Sequence, residues 1–385
     1  MKRSVVFNSI LSAAILVFAS IAILSLSCRQ AEAATPEAPP KDVATYLPTF
    51  PYTEGWLGAD DAFSIPIDAT KSVWLFGDSF VGNPDTTLRS KAKTMVRNSI
   101  GISTCDPGKA CTMKYYWRDA KAPKPRSFFD TGSDDVWYWP LDAYRDGDKL
   151  YVGMMTVRNR KGAAADDAFG FEIAGTQWFV VRNVTATPDQ WKMESKELTA
   201  GDLWPGATTF ADGNHVYLYT QVSKGSGKGY MIVLRVAKDK ISDPAKSWEY
   251  YGQDKQWHTG APAENAMHVI DQPISEMSVR YHPSVKKWIA ISGGEEWPTR
   301  RIVVRLADSA VGPWSAPRQV FEFPEMNPAN KIYDKDTFCY ATKEHVEFGD
   351  TRMVITYACN SMVLQKVIDQ MELYRPQLVV ANIPK

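Results

Sequence analysis

Three aspartates that could take part in acid–base chemistry lie close together in residues 56–82. Asp60 and Asp61 begin an alternating, β-prone run, and Asp78 ends the apolar run that follows it. A short turn around Asp68 joins the two runs, so we expect an antiparallel hairpin that brings the three carboxyl groups to one end. Carboxylates gathered on an apolar hairpin are costly unless they are paired, hydrogen-bonded or used, although aspartate is also common in turns.

A fourth carboxyl group, that of Glu276, precedes a strand of mixed polarity at residues 277–281. We expect it at the mouth of that strand, although a glutamate in a surface loop would look the same. Two or three carboxyl groups that face one another across an aromatic-lined pocket are what glycoside hydrolysis requires. The chain is rich in aromatic residues, with 13 Trp and 17 Tyr, whose flat faces can stack on sugar rings.

The chain repeats one pattern, in which a strand, a short turn and a second apolar strand follow one another. The second and third copies share Trp-Pro, at Trp139-Pro140 and Trp204-Pro205, followed in each by Asp-Gly and Tyr. Five copies at intervals of about 60 to 75 residues allow four strands in each unit, the size of a propeller blade. With little helical periodicity outside the N-terminus, the sequence predicts an all-β, five-bladed β-propeller. A two-sheet sandwich is the alternative, and it explains the repeat less well.

In a propeller the innermost strands line a central channel, and their ends converge on one face. Residues at the start of each repeat would therefore share one pocket with the first-hairpin aspartates. Trp139 and Trp204 could instead pack between blades, and a lone histidine near a strand end is as often structural. An acidic turn such as Asp134-Asp135 is also common in a solvated loop. The residues that this argument adds from the later repeats are Asp134, Asp135, Trp139, Trp204, Glu276, Tyr340 and His345.

The N-terminus has the pattern of an export signal over residues 1–33. Lys2 and Arg3 precede an apolar core, and Ala31-Glu32-Ala33 offers a small-x-small cleavage site. Cys28 ends a lipoprotein-like box, so lipid attachment there and simple secretion are both open, and an uncleaved membrane anchor is a third possibility. We expect a Pro- and Ala-rich linker over residues 34–50 and one propeller domain over 51–385.

Five cysteines are present. Cys105 and Cys111 flank a turn sequence, and Cys339 and Cys359 lie on strands that we expect to be neighbours. Two disulfides fit an exported protein, and Cys28, the cysteine left over, is where a lipid would be attached.

Other functions are poorly supported by the sequence. Lys plus Arg equals Asp plus Glu, at 44 each, which argues against a nucleic-acid binder. No Gly-rich phosphate loop, His-Glu-x-x-His zinc motif or Gly-x-Ser-x-Gly nucleophile elbow is present, and the cysteines lack zinc-site spacing. We expect a monomer and assign no cofactor and no metal-ligating residue, although the sequence decides neither the oligomeric state nor whether the central channel holds a metal.

Several stretches resemble a bacterial propeller family related to glycoside hydrolase family 183, the endo-D-arabinofuranases. The stretches are GADDAFSIPIDATKSVWLFGDSFVG, MVRNSIGI, WPLDAYRDGDKLYV, GPWS at residues 312–315, CYATKEH and ITYACNS, which span most of residues 50–362. The resemblance implies a five-bladed propeller whose first-repeat aspartates are catalytic, which corresponds here to Asp60 and Asp78. Asp61 and Val346 depart from the family pattern, and the choice between Asp60 and Asp61 stays open.

We therefore predict an exported hydrolase of a furanoside-containing, D-arabinan-like polysaccharide. Asp60 would act as base or nucleophile, Asp78 as a second carboxylate that orients water or tunes a pKa, and Glu276 as general acid. The alternative is a glycan-binding surface lipoprotein without catalysis, and the spacing of the carboxyl groups across the pocket would distinguish the two. The expected substrate-binding residues are Asp61, Arg97, Asn98, Trp139, Tyr340 and His345.

Overall fold

The computed structural model describes residues 47–164, 169–262, 264–349 and 351–384, so the predicted signal and Cys28 lie outside the described residues. Within them the chain forms five antiparallel sheets, which we call blades 1 to 5 in chain order. Blade 1 contains β1 (Trp56–Pro66), β2 (Lys71–Val81), β3 (Thr94–Val96), β4 (Ser99–Thr104) and β5 (Thr112–Tyr116). Blade 2 contains β6 (Val136–Asp146), β7 (Lys149–Asn159), β8 (Phe171–Val181) and β9 (Met193–Ala200).

The remaining three blades follow the same meander. Blade 3 contains β10 (Leu203–Asp212), β11 (His215–Ser223), β12 (Gly229–Ala237), β13 (Glu249–Tyr251) and β14 (Trp257–Thr259). Blade 4 contains β15 (Met277–His282), β16 (Lys287–Gly293), β17 (Arg301–Ala307) and β18 (Arg318–Glu322). Blade 5 contains β19 (Thr337–Glu344), β20 (Arg352–Ser361) and β21 (Gln377–Asn382), and a short helix, α1 (Leu364–Asp369), lies between β20 and β21.

The first strand of each blade contacts the first strand of the next, in the order β1, β6, β10, β15, β19 and back to β1. This ring confirms the predicted five-bladed β-propeller and is incompatible with a two-sheet sandwich. Apolar clusters fill the junctions between neighbouring blades: Leu75 packs with Val152 between blades 1 and 2, and Ile291 with Ile355 between blades 4 and 5. Burial of each such side chain stabilises the fold by about 2 kcal/mol.

The innermost strands are irregular on the side of the ring where the candidate residues lie. Of these five strands, all within the described residues, β1, β6, β10 and β19 pair with a register shift, and β15 pairs regularly. A bulge bends a strand and redirects its side chains. In β6 and β10 the shift begins at Pro140 and Pro205, so the repeated Trp-Pro marks these bulges, where a residue without an N–H is tolerated.

Both predicted cysteine pairs form disulfides. Cys339 and Cys359 are paired residues on the adjacent strands β19 and β20, and both are buried. Cys105 and Cys111 close the turn between β4 and β5. Within the described residues, no helix is long and apolar enough to cross a membrane.

We predict that the disulfide between β19 and β20 stabilises the fold more than the one in blade 1. Their cysteines are 20 and 6 residues apart, and loop entropy then gives roughly 3 and 2 kcal/mol, respectively. Thermal unfolding of a Cys339→Ala/Cys359→Ala variant should show the lower melting temperature when compared with Cys105→Ala/Cys111→Ala. Equal melting temperatures, or the reverse order, would contradict this expectation.

Candidate active site

Asp60 and Asp61 both direct their carboxyl groups toward Gly77 on the neighbouring strand β2. A Cβ atom placed on Gly77 would lie 2.4 Å from an Asp60 oxygen and 2.5 Å from an Asp61 oxygen. Successive residues of a regular strand face opposite sides, but β1 is bulged here, with Asp61 and Ala62 at φ +61° and +89°. The bulge therefore brings two adjacent carboxyl groups to one side, and the absence of a side chain at residue 77 leaves room for them.

Asp78 is held by two side chains that the sequence had suggested as binding residues. The indole Nε1 of Trp139 donates to Asp78 Oδ1 at 2.8 Å, and Arg97 Nη1 lies 3.1 Å from Asp78 Oδ2. The guanidinium of Arg97 also lies 4.4 Å above the ring of Trp137. Both Asp78 oxygens are thus fixed from the protein side, and Arg97 and Trp139 have at least this positioning role.

Asp60 accepts hydrogen bonds from two phenols. Tyr340 donates to Asp60 Oδ2 at 2.6 Å and Tyr374 donates to the same oxygen at 3.1 Å. Asn360 in turn donates to the Tyr340 oxygen at 3.3 Å. Asp60 Oδ1 is buried and accepts no hydrogen bond from the described residues. The Oδ2 atom of Asp60 is therefore fixed by two hydrogen bonds, and the lone pairs of Oδ1 are not used by the described residues.

Tyr374 was not identified from the sequence because it lies in the loop after α1, outside the repeats. The buried side chain of Arg89 fixes this loop: it donates to the carbonyl oxygens of Gln370, Met371 and Leu373, and to that of Leu57 in β1. One buried guanidinium thus joins blade 1 to the segment that supplies the second phenol.

Glu276 approaches the aspartates from blade 4. It directly precedes β15, and its Oε2 accepts a 2.6 Å hydrogen bond from the backbone N–H of Ala341 in β19. Ala341 has φ +57° and lies in the bulge of that strand. The predicted convergence of Asp60, Asp61, Asp78 and Glu276 is thus present: all four carboxyl groups lie close enough to affect one another's ionisation.

Desolvation dominates the ionisation of this cluster. The pKa of Asp60 is raised to about 8, mainly by burial and in smaller part by the charges of Asp78 and Glu276. The hydrogen bonds from its two tyrosine donors act in the opposite direction. Burial raises the pKa of Glu276 to about 7, and that of Asp61 well above its usual value. Burial also raises the pKa of Asp78, against the opposing effect of Arg97 and Trp139. The cluster therefore retains protons near neutral pH.

A buried lysine lies next to the cluster. Lys343 is 3.2 Å from a carboxylate oxygen of the fully buried Asp142, and Arg280 approaches the same oxygen at 3.3 Å. Burial lowers the pKa of Lys343 to about 8, although the charges of Asp142 and Asp61 oppose this. Sequence reasoning did not single out Lys343, yet a lysine in the otherwise mostly apolar strand β19 was a usable signal.

Two predicted binding residues make structural contacts instead. Asn98 is buried and donates to the carbonyl oxygens of Phe129 and Tyr138, which ties blade 1 to blade 2. His345 is buried, and its two ring nitrogens lie 2.6 Å from the Ser64 hydroxyl and 2.7 Å from the Thr356 hydroxyl. These contacts leave neither side chain available to a substrate, so we omit both from the proposed site.

A cleft of about 390 Å³ opens beside Glu276. Glu276 and Tyr340 belong to its lining, so it reaches the carboxyl cluster. Two indole rings and several polar side chains form the rest of the walls, among them Trp204, Gln221, Trp297 and Thr342. The arrangement provides a proton donor, a carboxylate and a sugar-sized aromatic space in one place.

We predict that Asp61→Asn stabilises the protein at pH 8 more than at pH 4. The pKa of Asp61 is raised in the folded state, so folding favours the protonated form of this side chain. Its contribution to the free energy of unfolding therefore falls as the pH rises above the pKa of the unfolded state, near about 4. The melting temperature of the variant should exceed that of the wild type at pH 8 by about 2–4 °C or more. The exposed Asp134→Asn serves as control, and an Asp61→Asn effect that is equal at both pH values would contradict the prediction.

The architecture is shared with proteins of known structure. A presumed hydrolase from Bacteroides ovatus ATCC 8483 superposes with a TM-score of 0.66 at 20% identity, over 86% of each chain. An endo-arabinase from Bacteroides thetaiotaomicron VPI-5482 has a TM-score of 0.45 at 13% identity, over 88% of this chain and 98% of that one. The GH43_1 enzyme from Xanthomonas citri, solved with xylose, has a TM-score of 0.46 at 13% identity, over 89% and 92%.

At these identities the similarity concerns the fold alone. No curated protein sequence matches the chain significantly. A family model described as a domain of unknown function, DUF5005, matches residues 44–382, and the chain belongs to this family.

Proposed function

We propose that this protein is an exported glycoside hydrolase that cleaves a furanoside-containing polysaccharide by carboxylate acid–base catalysis. The observation that supports this most strongly is the meeting of four carboxyl groups, three from blade 1 and Glu276 from blade 4, beside an aromatic cleft that Glu276 lines. In a purely structural cluster a cation would pair with each carboxylate, but among the described residues only Asp78 of these four forms a salt bridge, and the pKa values of the other three are raised. The furanoside class rests on the resemblance of the first-hairpin motif.

Asp60 is our candidate base or nucleophile. Tyr340 and Tyr374 hold Oδ2 and favour the ionised form, while Oδ1 accepts no hydrogen bond from the described residues. That oxygen has the lone pairs to take a proton from water or attack the anomeric carbon once substrate binding exposes it. Asp78, fixed by Arg97 and Trp139, is positioned to orient the water and to raise the pKa of Asp60 through its charge.

Glu276 is our candidate general acid. It lines the cleft, and its pKa of about 7 keeps a substantial protonated fraction near neutral pH. As the glycosidic C–O bond breaks, the Glu276 proton passes to the leaving oxygen. The pKa of Asp60, about 8, is the higher of the two, so the state with Asp60 ionised and Glu276 protonated costs on the order of 1 kcal/mol. This is a small penalty, so the productive state remains populated.

Export is the second part of the proposal. Two disulfides among the described residues fit an oxidising, extracytoplasmic environment. Secretion and lipid attachment at Cys28 both agree with the N-terminal sequence.

We expect Asp60→Asn and Glu276→Gln each to reduce hydrolysis of a cleavable furanose polysaccharide by about 10²- to 10⁴-fold, because each removes one partner of acid–base catalysis. Release of oligosaccharides from a panel of cell-wall and plant furanose polysaccharides is the measurement. Glu194→Gln, which changes an exposed carboxylate on the outer strand β9, is the matched control and should remain active. Full activity in both site variants would exclude the assigned roles, and binding without product release by the wild type would indicate a glycan-binding protein.

We also expect a bell-shaped dependence of kcat/KM on pH, with its maximum between about pH 7 and 8. Below this range Asp60 is protonated and cannot act as base, and above it Glu276 has lost the proton that it must donate. Unperturbed carboxyl groups would instead place the maximum near pH 4 to 5. Rates measured across pH 4–10 test this, and an optimum below pH 5.5 would contradict the raised pKa values.

A further inference from the structure

The cleft lies on one side of the carboxyl cluster. Its lining includes Glu276 and Tyr340, whereas among the described residues Asp60 and Asp78 do not contribute to it. Under the proposed function, Asp60 and Asp78 surround the sugar whose anomeric carbon reacts, and Glu276 protonates the oxygen that leaves. The cleft is lined by the acid but not by these two aspartates, so it would hold the sugar on the leaving-group side of the cleaved bond.

Two indole rings line this cleft. Trp297 is 64% exposed, which is unusual for a tryptophan, and lies at the rim. Its ring packs edge-on against Phe338 with centroids 5.8 Å apart, and Phe338 stacks on Tyr340 at 5.5 Å. Tyr340 donates to Asp60, so a short row of aromatic contacts links the exposed ring to the reacting carboxylate. Trp204 is partly exposed and is oriented by a 2.9 Å hydrogen bond from its Nε1 to the Gly201 carbonyl.

One polar group of the cleft, within the part of the chain that the structure describes, has no protein partner. Thr342 Oγ1 is buried, belongs to a lining residue and has no hydrogen-bond partner among the described residues. Gln221, also in the lining, is largely buried. A buried hydroxyl without a partner is costly, and a sugar hydroxyl or a water molecule would satisfy it.

The charges of the cleft favour a neutral ligand. Among its described lining residues Lys228 is the one basic residue, against Glu276, Glu295 and Glu296. Glu295 and Glu296 are both paired with arginines, and Glu276 is protonated in the proposed mechanism, so the lining has little net charge. The cleft therefore offers an anionic sugar little electrostatic attraction, whereas its flat rings suit the C–H face of an uncharged sugar.

From these observations we propose that Trp204 and Trp297 form a subsite for a neutral sugar unit on the leaving-group side of the cleaved bond. This inference rests on the proposed function, since it takes its direction from Glu276 as the acid. The subsite makes the protein prefer substrates in which at least one sugar follows the cleaved linkage.

The test compares two substrates that differ only on the leaving side. One is a neutral furanose oligosaccharide that the wild type cleaves, and the other is the matching furanosyl fluoride, which places no sugar in the cleft. We expect Trp297→Ala and Trp204→Ala each to lower kcat/KM for the oligosaccharide by about 10- to 100-fold, which corresponds to about 1.4 to 2.7 kcal/mol of lost transition-state binding. Hydrolysis of the fluoride should stay within about twofold of the wild type.

Two control variants keep the result interpretable. Tyr281→Ala removes an exposed aromatic ring that does not line the cleft and should leave both rates unchanged. Trp297→Phe keeps a flat ring and should restore most of the oligosaccharide rate. Equal losses on both substrates, or no loss on either, would overturn the subsite while leaving the hydrolase intact. If the wild type cleaves neither substrate nor any of the polysaccharide panel, the proposed function fails, and the subsite with it.

Discussion

Mutual repulsion is the constraint on which the rest of this structure depends, because one space holds the carboxyl groups of Asp60, Asp61, Asp78 and Glu276. In a poorly solvated site they cannot all be ionised. The fold meets this constraint with retained protons and with one fixed donor or more for three of the groups. Tyr340 serves Asp60, Trp139 serves Asp78, and the Ala341 N–H serves Glu276. These donors belong to blades 2 and 5, so the cluster is stable only when the ring is closed.

Two cationic side chains next to the carboxyl cluster are paired with Asp142. Asp142 takes both Lys343 and Arg280 as partners, and it also accepts the Thr209 N–H at 2.7 Å. Burial alone would raise the pKa of Asp142, but these partners outweigh it and lower the pKa. Lys343 is therefore held mainly by Asp142 and only partly offsets the charge of Asp61. A direct Lys343–Asp61 pair would favour ionised Asp61.

The sequence was informative where local rules decide the structure. A short turn forces an antiparallel hairpin, so the proximity of Asp60 and Asp78 followed from their spacing, and the repeat interval led to the propeller. The bulge at Asp61 and Ala62 was not predictable, because alanine rarely adopts a left-handed backbone and most aspartates do not adopt it either. Tyr374 was missed because a loop outside the repeats places it, through contacts that form only in the folded chain.

The presence of a polar residue in or near a recognised motif was the least reliable indicator of a substrate-binding residue. Asn98 and His345 lie in or next to recognised motifs, yet both satisfy buried polar groups at blade contacts. In a ring of sheets, such residues and the proposed site residues share the same strand ends and are similarly buried, so only their hydrogen-bond partners distinguish them. Those partners come from the neighbouring blade, which is distant in sequence and has no local signature.

Stability and chemistry make opposite demands on this cluster. Carboxyl groups with raised pKa values favour folding most when protonated, while hydrolysis needs at least one of them ionised. The folded state must therefore tolerate an electrostatic cost at the pH where it would work, and other interactions have to offset that cost. The disulfide between Cys339 and Cys359 is well placed for this, because β19 also carries Tyr340, Ala341 and Lys343. A covalent bond on the strand that supplies three of the cluster's partners holds them in place when repulsion is greatest.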